Sequence, residues 1–166
     1  MSVDVFEPVA ATPLLAAADP IEELSGFFFE DIESGMTAAY ARTIGPADVV
    51  MFAGISGDTN PMHLNEEYAA RSMFEGTIAH GMLCSSFIST VLGTRLPGPG
   101  CVYISQNLKF KAPVRPGDTV KARATVIELK PESSRVMLET VCTVGDTVVI
   151  AGQAEVLVPR RNKQEA

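Results

Sequence analysis

Residues 54–63 read Gly-Ile-Ser-Gly-Asp-Thr-Asn-Pro-Met-His. Asp58 and His63 in that stretch are a carboxylate and an imidazole five residues apart across a proline turn. Such a pair can converge on one small reactant, a water for instance, and move its protons. Gly57-Asp58 and Asn60-Pro61 are both strong chain breakers, so the segment is a turn. Taken alone, the same residues have a plainer use. Asp58 and Asn60 are side chains that stabilise turns, and His63 can be a packed histidine. Chemistry requires that the rest of the chain supply a pocket, a place for an electrophile and elements to hold both.

Those elements are legible on either side. Gly45-Pro46 opens a helical pattern, with Pro46 suited to the first turn and Asp48 to the positive helix end. Val49, Val50, Phe52 and Ala53 are expected to face the interior, and the helix delivers the chain into the Asp58–His63 turn. Asn65 is placed to cap a second helix with Glu66 and Glu67 in its first turn. Phe74-Glu75-Gly76 ends that excursion. His80–Thr94 is the longest helical segment, with rows Leu83, Phe87, Val91 and Cys84, Ile88, Leu92 at four-residue spacing. It carries no charge from Gly81 to Thr94, so it must be buried on most sides. Gly93 and Pro97 mark its exit.

Strands complete the outline. Phe27-Phe28-Phe29 begins the packed part, and Ala38–Ile44 reads as a first strand after the break at Gly35. From Cys101 the apolar period becomes two: Val102, Ile104, Leu108, Phe110 and Ala112 form one face. Val120, Ala122, Ala124 and Val126 follow, then Val136, Leu138, Thr140, Cys142 and Val144, then Val148, Ile150, Ala154, Val156 and Val158. Turns fall at Pro116-Gly117-Asp118, Pro131-Glu132-Ser133 and Gly145-Asp146, so the four strands are expected to form an antiparallel meander. The fold class is α+β: a curved antiparallel sheet wrapped around one long central helix. The first strand leaves a sheet edge that a second copy of the chain could pair with, so a dimer is expected.

Size and charge restrict the partners. A chain of 166 residues, 46% hydrophobic and 20% charged, is one globular domain with room for a core. Residues 1–41 carry eight acids and no base, so of the net −7 the remainder contributes +1. No basic stripe points to nucleic acid. The N-terminus lacks the positive start of a signal peptide and the arginines of a transit peptide, and no apolar run reaches membrane-span length. A cytoplasmic protein with no membrane partner is the expectation. Residues 1–25, rich in Ala and Pro, read as a poorly ordered leader before a domain at 26–166. Cys84, Cys101 and Cys142 fit no metal spacing and read as buried thiols; no metal is expected.

From Phe52 to His63 the chain resembles the MaoC-like family of hot-dog-fold proteins, and most closely the R-specific enoyl-CoA hydratases of the hydratase 2 type. The likeness continues through Phe74-Glu75-Gly76-Thr77-Ile78-Ala79-His80-Gly81-Met82-Leu83, Leu96–Gly100 and Leu108–Asp118, and spans roughly residues 30–158. The resemblance implies a single hot-dog fold assembled as a homodimer or a dimer of dimers. It implies addition of water to a trans-2-enoyl-CoA, giving an (R)-3-hydroxyacyl-CoA, and the reverse dehydration. Asp58 and His63 would be the catalytic pair, Asn60 and Ser89 would support it, and the backbone N–H of Gly81 would receive the thioester oxygen. Coenzyme A enters as part of the substrate, and no cofactor is implied.

The chemistry fits those residue types. An enoyl thioester is electrophilic at Cβ because its carbonyl takes up charge, and that oxygen needs a pre-aligned donor. Gly81 starts the long helix, where free N–H groups and the positive dipole end point outward. Lys109, Lys111 and Arg115 are the nearest cations in sequence for the phosphates of coenzyme A, although strand lysines are usually just solvated. His80 reads as a structural residue at the helix start. A hot-dog acyl-CoA thioesterase, attacking the carbonyl carbon, and a non-catalytic acyl-CoA-binding subunit are the alternatives. Retention of both Asp58 and His63 counts against each.

Overall fold

The computed structural model describes residues 23–161; the leader expected at 1–25 lies mostly outside them. Strand β1 (Thr37–Thr43) is followed by helices α1 (Pro46–Ser56), α2 (Pro61–Leu64), α3 (Glu66–Ala70) and α4 (Gly81–Thr94). Strands β2 (Val102–Phe110), β3 (Thr119–Lys130), β4 (Arg135–Val144) and β5 (Thr147–Leu157) then complete one antiparallel sheet. The sheet curls around α4, which is the hot-dog arrangement.

The core forms where α4 meets the concave face. Phe87, Ile88, Val91 and Leu92 of α4 are buried against Val120, Ala122, Ala124 and Val126 of β3 and Val136, Leu138 and Cys142 of β4. Strand period two puts each of these sheet residues on one side. The alanines of β3 leave room for the helix, and Cys142 Sγ reaches Cys84 O at 3.9 Å. Burying apolar side chains at roughly 1.5–3 kcal/mol each makes this contact the main stabilising term.

Three expectations are corrected. The strand order is β1-β3-β4-β5-β2, so only β3, β4 and β5 form a meander. β2 pairs with β5 at one edge and β1 with β3 at the other. The chain between β2 and β3 thus crosses the width of the sheet. On β5, Val148 is 37% exposed and Val149 is buried, because a register shift against β4 at Cys142/Thr143 moves the inward face by one residue. On α1 only Val49 and Ala53 are buried; Val50 faces out. Asn65 caps α3 as expected, its Oδ1 accepting from the Tyr68 N–H at 2.9 Å.

The apolar face expected on β2 is also largely uncovered in a single chain: Val102, Tyr103, Ile104 and Phe110 are exposed. Met82, Ser86 and Ser89 form the exposed side of α4, and with Tyr103, Ile104 and Gln106 of β2 they line one groove.

Candidate active site

Helix α1 ends where Gly57 enters the left-handed region (φ 77°) and its N–H closes on Ala53 O at 2.9 Å. A residue with a Cβ is strained in that conformation, so glycine lets the chain reverse straight into Asp58. Local bonds hold the turn. Ser56 Oγ accepts from the Asp58 N–H (3.2 Å), and Asp58 Oδ1 accepts from the Asn60 N–H (3.3 Å). Asn60 Oδ1 accepts from the Met62 N–H (3.2 Å) and so caps α2, with Pro61 as its first residue. Turn chemistry and site-building are therefore the same thing here, because the turn carries Asp58 and His63 to one place.

His63 Nδ1 lies 2.8 Å from Ile78 O. A carbonyl only accepts, so Nδ1 bears the proton and Nε2 presents a lone pair. His80, buried beneath it, sets its Nε2 2.9 Å from the backbone oxygen of Asp58. The two imidazoles stack with centroids 3.8 Å apart and planes at 32°. One side-chain N or O atom from each of Asp58, His63 and His80 lies within 4.8 Å of those of the other two. A water making two bonds of about 2.8 Å at a tetrahedral angle spans roughly 4.6 Å. A separation within that limit leaves room for one water shared by Asp58 and His63.

These three side chains are also the one cluster of metal-ligand type among the described residues. Each imidazole already commits one nitrogen to a carbonyl. The nitrogens left free are then His63 Nε2 and His80 Nδ1, the latter buried.

Asp58 and His63 open onto a cleft of about 380 Å³ that also takes in Gly81, Met82, Phe110 and Lys111. Its inner wall is apolar: Ile78, Ala79, Cys84, Val114 and Ile150. Gly81 is the first residue of α4, so its N–H has no partner within the helix and sits at the positive dipole end. A Cβ at Gly81 would stand 2.6 Å from Cε1 and 2.8 Å from Cδ1 of Phe110. The ring of Phe110 therefore lies flush against the helix start, and only glycine lets it do so.

The description MaoC like domain belongs to the family profile that matches residues 28–149. The chain belongs to the MaoC-like family. It is 56% identical over 140 residues to an (R)-specific enoyl-CoA hydratase of Rhodospirillum rubrum, covering 84% of this chain and 97% of that protein. A 3-hydroxybutyryl-CoA dehydratase of Methylorubrum extorquens is 51% identical, over 87% of this chain and 92% of the relative. Among solved structures, the (R)-hydratase of Aeromonas caviae superposes with a TM-score of 0.76 at 39% identity, covering 78% of this chain and 99% of that one. An unliganded R-hydratase of Pseudomonas aeruginosa gives 0.78 at 38% identity, covering 82% and 88%.

Within this MaoC-like domain the cleft gathers Asp58, His63, Gly81 and Lys111 of the residues singled out from sequence. Asn60 stands beside them as the α2 cap. Ser89 lies elsewhere: eight residues from Gly81 is about 12 Å along a helix, and Ser89 lines the groove beside β2. Arg115 donates from Nη2 to Phe74 O at 2.5 Å, which ties it to the loop before α4. Lys109 is exposed on β2 and does not line the cleft. Phe110 and the stacked His80 were not among the site residues read from sequence. His80 carried one usable signal, as the sole other histidine of the chain and the neighbour of Gly81. Phe110 carried none, because its contact with Gly81 joins segments 29 residues apart.

Proposed function

We infer that this protein adds water across the double bond of a trans-2-enoyl-CoA to give an (R)-3-hydroxyacyl-CoA, and catalyses the reverse dehydration. The observation that carries the reading is the convergence of Asp58, His63 and the Gly81 helix start on one cleft. It stands in a chain 56% identical to a protein named (R)-specific enoyl-CoA hydratase.

In the proposed mechanism Asp58 and His63 Nε2 hold one water over Cβ. As the water oxygen bonds to Cβ, one of its protons passes to the pair, and the π electrons move through Cα onto the thioester oxygen. The Gly81 N–H stabilises that enolate-like charge. The pair then returns a proton to Cα, so hydrogen and hydroxyl arrive on the same face, and addition is syn. Water is the only co-reactant and no oxidation state changes in sum, so the step needs no redox cofactor. Lys111, at the cleft, is the first cation offered to the coenzyme A phosphates, with Lys109 and Arg115 further out.

The same reading makes the protein a homodimer, or a dimer of dimers. β2 is bonded along one side only, to β5, and its exposed Val102, Tyr103 and Ile104 continue onto the exposed side of α4. A second copy would cover that face and pair the open edge. The cytoplasm is the proposed compartment, in keeping with three free thiols. No helix among the described residues is long and apolar enough to cross a membrane.

Purified protein incubated with crotonyl-CoA should lose the enoyl absorbance and yield the R product without releasing thiol. Thiol release would make it a thioesterase, and an S product, or binding without turnover, would refute the assignment. Asp58→Asn and His63→Ala should each remove most activity, on the order of the 10²–10⁴-fold that a positioned acid or base supplies. Either variant turning over like the wild type would refute its role.

A further inference from the structure

His80 touches every part of the proposed machinery and yet is not placed to react. It is 2% exposed. Its Nε2–H donates to the backbone oxygen of Asp58 across 22 residues of sequence. One ring face lies against His63 at 3.8 Å between centroids, and Phe52 of α1 packs against it at 5.0 Å, with ring planes at 50°. Its own backbone is the N-cap of α4, so it is joined covalently to Gly81, and its carbonyl accepts from the Cys84 N–H at 3.2 Å.

Helix capping does not account for this side chain. It makes no capping bond at all. Any small residue could occupy the N-cap, whereas an imidazole buried here leaves Nδ1 with no hydrogen-bond partner among the described residues. An unsatisfied buried acceptor is unfavourable, and an apolar ring of similar shape would avoid it. What the imidazole supplies that an apolar ring cannot is the Nε2–H to Asp58. Around Asp58 itself the turn is held by local bonds; its far end is tied to Ile78, whose N–H donates to Met62 O at 3.3 Å and whose carbonyl accepts from His63 Nδ1. Among the described residues, the His80 bond is what fastens the Asp58 backbone to the start of α4.

We propose that His80 is a positioning residue that locks the Asp58 turn and the His63 ring to the Gly81 end of α4, so that water and thioester oxygen are held in register. The proposal rests on the hydratase reading above. Proton transfer and charge stabilisation occur at opposite ends of the same three-carbon unit. A shift of about 1 Å between their holders costs on the order of 10²-fold in rate. The His80 side chain meets Asp58 and His63, and its backbone leads directly into Gly81.

The test compares His80→Phe, which keeps an aromatic ring and removes the donor, with His80→Gln, which keeps a side-chain N–H near the position of Nε2. Both are assayed against Asp58→Asn, with thermal unfolding followed on each. His80→Phe should fold and lose on the order of 10–100-fold in kcat, with KM for crotonyl-CoA changed far less. His80→Gln should recover most of that kcat although it cannot stack on His63 as a ring does. A purely structural role predicts otherwise: unfolding temperature and kcat would fall together, and Gln would do no better than Phe. That pattern, or wild-type kcat in His80→Phe beside an inactive Asp58→Asn, overturns this inference alone. Absence of hydration by the wild-type protein would overturn the hydratase reading and this inference with it. If neither variant folds, His80→Leu in a thermally stabilised background removes the donor, and wild-type kcat there overturns the proposal.

Discussion

Replacing Gly81 with alanine tests the oxyanion position without touching a charge or a proton. The new methyl would lie 2.6 Å and 2.8 Å from two ring carbons of Phe110, where ordinary contact needs about 3.5–4.0 Å. Something must give by about 1 Å. The obstruction is the ring of an exposed side chain and not backbone, so the ring swings away and the fold survives. Relief of the glycine's conformational entropy offsets part of the cost, by at most about 1 kcal/mol. Stability should therefore change by no more than about 1 kcal/mol in either direction. Activity should not survive so well. The methyl stands beside the N–H proposed to receive the thioester oxygen, and the displaced ring loses its place in the cleft. Alanine keeps the N–H and only crowds its approach, so the loss should reach at most the 10²–10³ in kcat that removing such a donor outright typically costs. The assay is crotonyl-CoA hydration followed at the enoyl absorbance, with urea unfolding as the control. Adding Phe110→Ala to the variant separates the two effects: it removes the clash but not the methyl, so kcat should stay low. Wild-type kcat in Gly81→Ala, at unchanged stability, would refute the assignment of Gly81.

Three further outcomes follow from the packing. A Cβ at Gly152 would stand 1.9 Å from the backbone oxygen of Asn107, so Gly152→Ala should part β2 from β5. It should cost at least the ~1–3 kcal/mol typical of overpacking, read by urea unfolding, and a neutral result would contradict the β2–β5 register. Burial pushes the Cys84 thiol to about 11 and the Cys142 thiol to about 12. Alkylation of native protein at pH 8 should therefore spare both, with Cys101 the first to react and all three labelled after denaturation; rapid labelling of Cys84 would refute the core arrangement. Glu155 is held below its ordinary value of 4.5 by a hydrogen bond from Lys130 and by the charges of Lys130 and Arg135, against some desolvation. A carboxyl depressed in the folded state stabilises above its unfolded value, and that contribution fades as pH falls through the folded one. Glu155→Gln should thus be less stable than wild type at pH 7, with the gap closing below about pH 4.5; an equal gap at pH 7 and pH 3.5 would refute the pairing.

What lies within a few residues was legible from sequence for a local reason. Gly57, Asn60 and Pro61 specify a turn by backbone conformation and short-range bonding, so the convergence of Asp58 and His63 needed no distant partner to be expected. Charge-free Gly81–Thr94 announced a buried helix, and the alternation in β3 and β4 announced their inward faces. Tertiary structure decided the rest. Alternation reads the same whichever neighbour a strand takes, so only closure of the sheet around α4 could send β2 to β5 and not to β3. A helix apolar on nearly all sides does not say which side stays open, and only the fold places Ser89 on the groove beside β2 and not on the cleft of Asp58 and His63. The bond from His80 to Asp58 spans 22 residues, and the ring of Phe110 meets Gly81 from another strand. Such contacts exist only once sheet and helix are assembled, and they are what turn two neighbouring side chains into a site.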